Sequence, residues 1–213
     1  MINNGLDLKS FSIKDSNTNN NTNNNNNTNN NTNTESKYNN KIKNKFIYSS
    51  RPDRGLNILL NLWPKILEIF PDATLVVSSY GNFPSNADEI ILKNIIDCND
   101  SIKFLGKLST DQLYVEMASS EYWLYPTHWP ETSCITALEM LMSEVICLYY
   151  PVAGLVNTMD KYGIQVQAGK EIDTLVSLTN EQKILLRKNG REYAETCSWS
   201  NRSELWTKLL FFM

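Results

Sequence analysis

Trp123–Glu139 reads WLYPTHWPETSCITALE. The apolar run Tyr122–Tyr125 ends at Pro126, a short polar loop follows, and Glu131 and Glu139 bracket the start of a helical pattern. A strand that feeds a helix through a short loop suits a diphosphate, because N–H groups at the helix N-terminus face the phosphates and the helix dipole favours their charge. The two carboxylates stand eight positions apart (131 to 139), on the order of 9–12 Å at about 1.5 Å per helical residue. A ligand with a hydroxylated group on each side of a diphosphate spans that distance. A nucleotide sugar is such a ligand.

Working outward, the chain alternates short apolar runs with helical patterns. Phe46–Ser49 predicts a strand. Leu56–Phe70 carries Leu59, Leu62, Trp63, Ile66, Leu67 and Phe70 at helical spacing, and Pro64 predicts a kink or two short helices. Ala73–Ser78, Ile102–Leu105, Val145–Tyr149 and Gly163–Val166 predict further strands. Asn86 with Glu89, Ser109 with Gln112, Thr179 with Gln182, and Asn201 with Glu204 have the spacing of capping boxes that start helices. Trp63, Trp123 and Trp206 are read as core. Strands alternating with helices predict an α/β fold, a Rossmann-like parallel sheet with helices on both faces. In such open sheets ligands bind at the carboxyl ends of the strands. The loops Ser49–Gly55, Tyr80–Asn82, Gly106–Leu108 and Thr127–Ser133 all fall there.

Composition bounds the rest. Ser16–Asn40 is nearly all Asn and Thr, too polar to offset the entropy of ordering, so residues 1–44 are expected to be a disordered low-complexity segment and residues 45–213 the single domain. The net charge of −3, with no basic stripe, argues against a nucleic-acid binder. Met1–Ser10 lacks the pattern of a signal peptide, and no apolar run approaches the roughly 18 residues of a transmembrane helix. Cys98, Cys134, Cys147 and Cys197 form no CxxC pair, and His128 is the single histidine, so no metal site is expected. The thiols read as reduced and mostly buried, in a cytoplasmic protein.

The body resembles the C-terminal, donor-binding half of a GT-B glycosyltransferase of the retaining, glycogen-synthase-like group, over roughly Phe46 to Leu210. YPTHWPETSCITALE is similar to that group's two-glutamate unit, SSRPDRGLNILLNLWPKI to its phosphate loop and following helix, and PDATLVVSSYG to its next strand. AGLVNT with YGIQV is similar to its glycine loop and the strand after it, and CSWSNRSELW to its closing helix. The resemblance implies binding of a nucleotide-diphosphate sugar for retaining hexosyl transfer. It gives Arg54 the diphosphate, Glu131 the catalytic place beside the donor sugar, and Glu139 the ribose hydroxyls. The backbone N–H groups of Ser133 and Cys134 would face the phosphates. No cofactor is implied, and transfer in this family is usually metal-independent. Ser49 stands where members often carry a second basic residue, and Asn157 where they often carry a glutamate.

A GT-B enzyme also needs an acceptor domain, which residues 1–44 are too short and polar to supply. The expected function is therefore a donor-binding domain that is incomplete by itself, with an acceptor domain on a separate chain as one partner. The alternative is a non-catalytic nucleotide-sugar-binding remnant.

Overall fold

A computed structural model describes residues 5–11 and 41–211. In chain order the elements are β1 (Lys45–Ser49), α1 (Leu56–Ile69), β2 (Thr74–Ser78), α2 (Ala87–Asp97), β3 (Ile102–Gly106), α3 (Thr110–Ser119) and β4 (Tyr122–Tyr125), followed by α4 (Ile135–Met142), β5 (Ile146–Tyr149), α5 (Gly154–Met159), β6 (Ile164–Gln165), α6 (Glu171–Ser177), α7 (Asn180–Thr196) and α8 (Trp199–Phe211). The strands form one parallel sheet in the order β3-β2-β1-β4-β5-β6. The order reverses between β1 and β4, where the register holds only Phe46 against Tyr122. Crossovers leave in opposite directions at such a reversal and open a crevice above it.

The central strands are buried on both faces, which is why they read as unbroken apolar runs rather than alternating ones: Phe46, Ile47, Tyr48, Tyr122, Trp123 and Leu124 are fully buried. α1 presents Leu56, Leu59, Leu60, Trp63 and Ile66 to the sheet. Of the two outcomes expected at Pro64, the break into two helices is absent; one helix runs from Leu56 to Ile69. A mid-helix proline costs about 3 kcal/mol. Burying five large side chains, at about 1.5–3 kcal/mol each, outweighs it.

Ser109 with Gln112 and Thr179 with Gln182 form complete capping boxes. Asn86 caps α2 through the Glu89 N–H, but the Glu89 carboxylate turns back one residue further, to Ser85 N (2.6 Å) and Oγ (2.7 Å). α8 starts two residues before the expected box: Ser198 Oγ accepts the Asn201 N–H (3.2 Å), while the Asn201 side chain donates to Thr196 O (3.0 Å). α8 buries none of its residues, so Trp206, expected in the core, is 45% exposed. Trp63 and Trp123 are core. The short helices α5 and α6 had no clear sequence signal.

The segment expected to be uniform over residues 1–44 is not. Leu6 N donates to Cys197 O (2.8 Å) and Trp199 N to Leu6 O (3.0 Å), so residues 5–7 pair with the turn between α7 and α8. Leu6 and Phe11 are buried, and Phe11 stacks on Tyr114 of α3 with centroids 4.2 Å apart. A side chain at Gly5 would put its Cβ 2.7 Å from Trp199 Cα, so glycine permits this approach. Residues 12–40, with the Asn/Thr tract, lie outside the described residues. Cys134, Cys147 and Cys197 are buried and Cys98 exposed, and all four are free thiols. No helix among the described residues is long and apolar enough to cross a membrane.

Candidate active site

The site is assembled by two loops, one leaving β1 and one leaving β4. After β1 the chain turns through Ser50–Arg54 into Gly55, whose φ of +100° suits glycine. A Cβ there would lie 2.7 Å from Pro126 O, so only glycine lets the first loop rest on the second. Tyr48 Oη donates to Arg51 O (2.6 Å) and fixes the start of the turn. The turn delivers Arg54 to Glu131: Nη1 and Oε1 are 2.9 Å apart.

The second loop is held at several points. Thr127 Oγ1 accepts the Trp129 N–H (3.0 Å) and Trp129 O accepts the Glu131 N–H (2.9 Å). Glu131 O accepts the Gly154 N–H (2.7 Å), which ties the loop to the start of α5. A Cβ on Gly154 would meet Thr132 O at 2.2 Å. Glu131 itself is 6% exposed. Its Oε1 also accepts the hydroxyl of Tyr125, the last residue of β4 (2.9 Å), and Ser50 Oγ lies 3.3 Å from that hydroxyl.

Burial opposes the charge on Arg54, but the Glu131 carboxylate, with Tyr125 and Tyr80 nearby, more than offsets it and holds the guanidinium pKa above its ordinary value. The indole of Trp129, 43% exposed, lies 5.3 Å from the guanidinium carbon. The β1/β4 crevice therefore presents a fixed, half-buried cation beside a buried carboxylate.

Glu139 lies on the second turn of α4 and is bonded separately from this pair. Its Oε1 accepts the Tyr114 hydroxyl from α3 at 2.9 Å. Burial raises its pKa, and the Tyr114 hydrogen bond works against that rise. Cys134 immediately precedes α4; burial, with the Glu131 charge adding to it, pushes the thiol up to about 12. It is no nucleophile at neutral pH, so any part it plays belongs to its backbone N–H. Ser133 beside it is half-buried. His128 is exposed, with its ring 5.4 Å from that of Tyr150.

Arg54 and Glu131 are thus brought into contact from opposite sides of the reversal. Glu139, on α4, has its own partner, Tyr114 of α3. Tyr125, Tyr114 and Trp129 were not singled out from sequence, and Gly154 was read only as part of the AGLVNT glycine loop. Of the first three, only Tyr125 carried a signal, as a polar-tipped residue at the carboxyl end of a buried strand.

The family model described as "Glycosyl transferases group 1" matches residues 29–182. Among solved structures, the GtfA/B complex aligns at a TM-score of 0.63 and 18% identity over 80% of this chain and 36% of that one. TarM aligns at 0.63 and 14% identity, over 80% and 36%. Anabaena Alr3699/HepE in complex with UDP-glucose aligns at 0.63 and 15% identity, over 80% and 50%. The chain therefore spans about a third to a half of the length of these neighbours. No curated protein matches significantly. The family match covers 154 of the 213 residues (29 to 182 inclusive) and takes in both site loops. The chain belongs to the group 1 glycosyl transferases and has the fold of the C-terminal, donor-binding half of a GT-B member.

Proposed function

We propose that the chain binds a nucleotide-diphosphate sugar in the β1/β4 crevice for retaining glycosyl transfer. The observation that carries this reading is the Arg54–Glu131 pair, 2.9 Å apart, at the strand-order reversal of a group 1 glycosyl transferase fold. A guanidinium takes two phosphate oxygens at once, so Arg54 neutralises the diphosphate and the charge it gains on leaving. Ser133 and Cys134 add backbone N–H groups at the start of α4. Glu139 accepts the ribose hydroxyls. Glu131 is the catalytic residue beside the donor sugar; among the described residues both hydrogen bonds to its carboxylate fall on Oε1, which leaves Oε2 to the ligand. Positive charge comes from Arg54 and from N–H groups, so no metal is assigned.

The matched part of this chain makes up only 36% to 50% of the structures it resembles, and α8 exposes an apolar surface that includes Trp206 and Leu209. Both favour an acceptor-binding domain supplied outside residues 45–213, with a separate chain as one source. A remnant that binds the donor without transferring it is the second reading. Absence of sugar transfer and of donor hydrolysis would support it.

A thermal-shift panel on the full chain with UDP, UDP-glucose, GDP and ADP, in EDTA, tests the donor site. UDP comes first because neighbouring structures hold UDP or UDP-glucose. A ligand at about 100 times its dissociation constant should stabilise the fold by roughly 2.7 kcal/mol. One diphosphate standing out, with the shift lost in Arg54→Ala, is the expected result. No shift from a protein that melts cooperatively rejects the reading, and a shift that appears only without EDTA rejects metal independence.

A further inference from the structure

The N-terminal residues and Glu139 are linked through one side chain. Phe11 packs its ring on Tyr114 at 4.2 Å and 25° between planes, and the other end of Tyr114 donates its hydroxyl to Glu139 Oε1 at 2.9 Å. Phe11 is 7% exposed and Tyr114 6%. The stack is not held by Phe11 alone. Phe11 N donates to Leu8 O (3.1 Å), and Leu6 is fixed by two backbone bonds to the turn between α7 and α8. A segment well separated in sequence from the domain thus reaches Glu139 by way of α3.

We propose that Tyr114 is a positioning residue for Glu139, and that residues 5–11 hold it in place through Phe11. The role follows from hydrogen-bond accounting. A carboxylate on a helix can rotate, and a ligand hydroxyl needs one of its oxygens presented in a fixed direction. The Tyr114 hydroxyl claims Oε1 and so orients Oε2, and the Phe11 stack removes the ring freedom that would let the hydroxyl swing away. The bond also favours the ionised carboxylate, the form that accepts hydrogen bonds from hydroxyls. The titratable groups around the pair are Tyr114 itself on α3, Cys134 at the head of α4, and Asp7 and Asp111 on the Tyr114 side. Asp7 belongs to the same N-terminal segment. The orienting bond is a property of the chain; its value to a ribose rests on the donor-site reading above.

Tyr114→Phe keeps the ring and its stack and deletes only the hydroxyl. In the full chain labelled with 13C at glutamate carboxyls, the Glu139 signal is assigned by its loss in Glu139→Gln, and its titration is followed by NMR without ligand. The Glu139 midpoint should move to higher pH in Tyr114→Phe, and Phe11→Leu should move it the same way by less. An unchanged midpoint in Tyr114→Phe overturns the positioning role, and one unchanged in Phe11→Leu alone removes the N-terminal segment from it. UDP titrations of the same proteins give the second readout. The loss of one hydrogen bond to a charged group should weaken UDP by about tenfold, and the acid limb of binding should shift upward in pH. If UDP binds Glu139→Gln as well as wild type while the NMR midpoint still moves, the ribose assignment has failed and the positioning bond stands.

Discussion

Glu121, directly before β4, and Glu131, six residues after its end at Tyr125, are carboxylates of nearly equal burial, 5% and 6% exposed. One lies at the amino end of the sheet and one at the carboxyl end, and each meets an arginine. Glu121 uses both oxygens: Oε2 accepts the Asn44 N–H (2.7 Å), and Oε1 lies 3.1 Å from Arg187 and 3.3 Å from Lys183 on α7. Among the described residues, Glu131 takes Arg54 and Tyr125 on Oε1 alone. Both arginines leave a buried Nε without a partner among the described residues, so that feature does not separate the ends. The carboxylates do. At the amino end the charges are satisfied within the protein and bind α7 to the sheet. At the carboxyl end one oxygen and a 23%-exposed guanidinium stay available to something that arrives. Buried ion pairs are poor evidence of stabilisation in themselves, but removing one partner is costly because it strands the other.

The sharpest way to break the comparison is Glu121→Ala, which strands Arg187, Lys183 and the Asn44 N–H together. It should cost about 3–5 kcal/mol of unfolding free energy in urea denaturation. UDP affinity of the fraction that remains folded should not change. A loss of affinity with little loss of stability would reverse the roles given to the two ends.

Arg54→Ala is the counterpart at the carboxyl end. Calorimetry should show nucleoside-diphosphate affinity falling by about 1.5–3 kcal/mol, the worth of hydrogen bonds to a charged group. Unfolding free energy should fall by less than in Glu121→Ala, because Arg54 is partly solvated. Equal destabilisation by the two variants would mean that the carboxyl end is a structural clamp as well.

Gly154→Ala probes the scaffold beneath the site. Its Cβ would meet Thr132 O at 2.2 Å, a backbone atom that can move only with the Glu131 loop. Overpacking of this kind costs about 1–3 kcal/mol. A thermal melt should show that loss, and weaker UDP binding should accompany it if the loop carries Glu131. Unchanged binding would separate the loop from the site.

A further effect, one of pH, belongs to the amino end. Lys41 Nζ donates to Ser143 O (2.6 Å) and Met117 O (3.2 Å), and burial pulls its pKa down to about 7 from 10.5. Between those values the unfolded chain holds a proton that the folded chain lacks, so stability should rise with pH across the window. Denaturation series from pH 7 to 10.5 should show the rise in wild type and its loss in Lys41→Met. A rise that persists in Lys41→Met assigns it to another group.

Much of the fold was legible. The strand candidates from Phe46 to Val166 overlap β1 to β6, and Tyr122–Tyr125 matches β4 at both ends. Two complete capping boxes stood in the sequence as serine or threonine with glutamine three residues later. Reading these signals needs only residues a few positions apart. Where local reading failed, a distant neighbour had decided. Pro64 stays inside one helix because the stripe on both sides of it is buried under the sheet. Trp206 looks like core in an amphipathic pattern, but among the described residues α8 has nothing to bury it. Leu6 and Phe11 look too few to fold and are buried because the α7–α8 turn and α3 receive them.

The sequence by itself therefore determined the alternating α/β architecture, the strand–loop–helix around Glu131 and Glu139, and the family resemblance of both loops. The tertiary structure alone decided who meets whom. Arg54 reaches Glu131 across 77 positions because β1 and β4 are neighbours at the reversal of the sheet, and Tyr114 reaches Glu139 across 25 because α3 and α4 flank the same strand. Caps and periodicity act over a few residues, and sequence displays them directly. Strand order is fixed by the whole packed sheet, so the pairings it creates have no local signature.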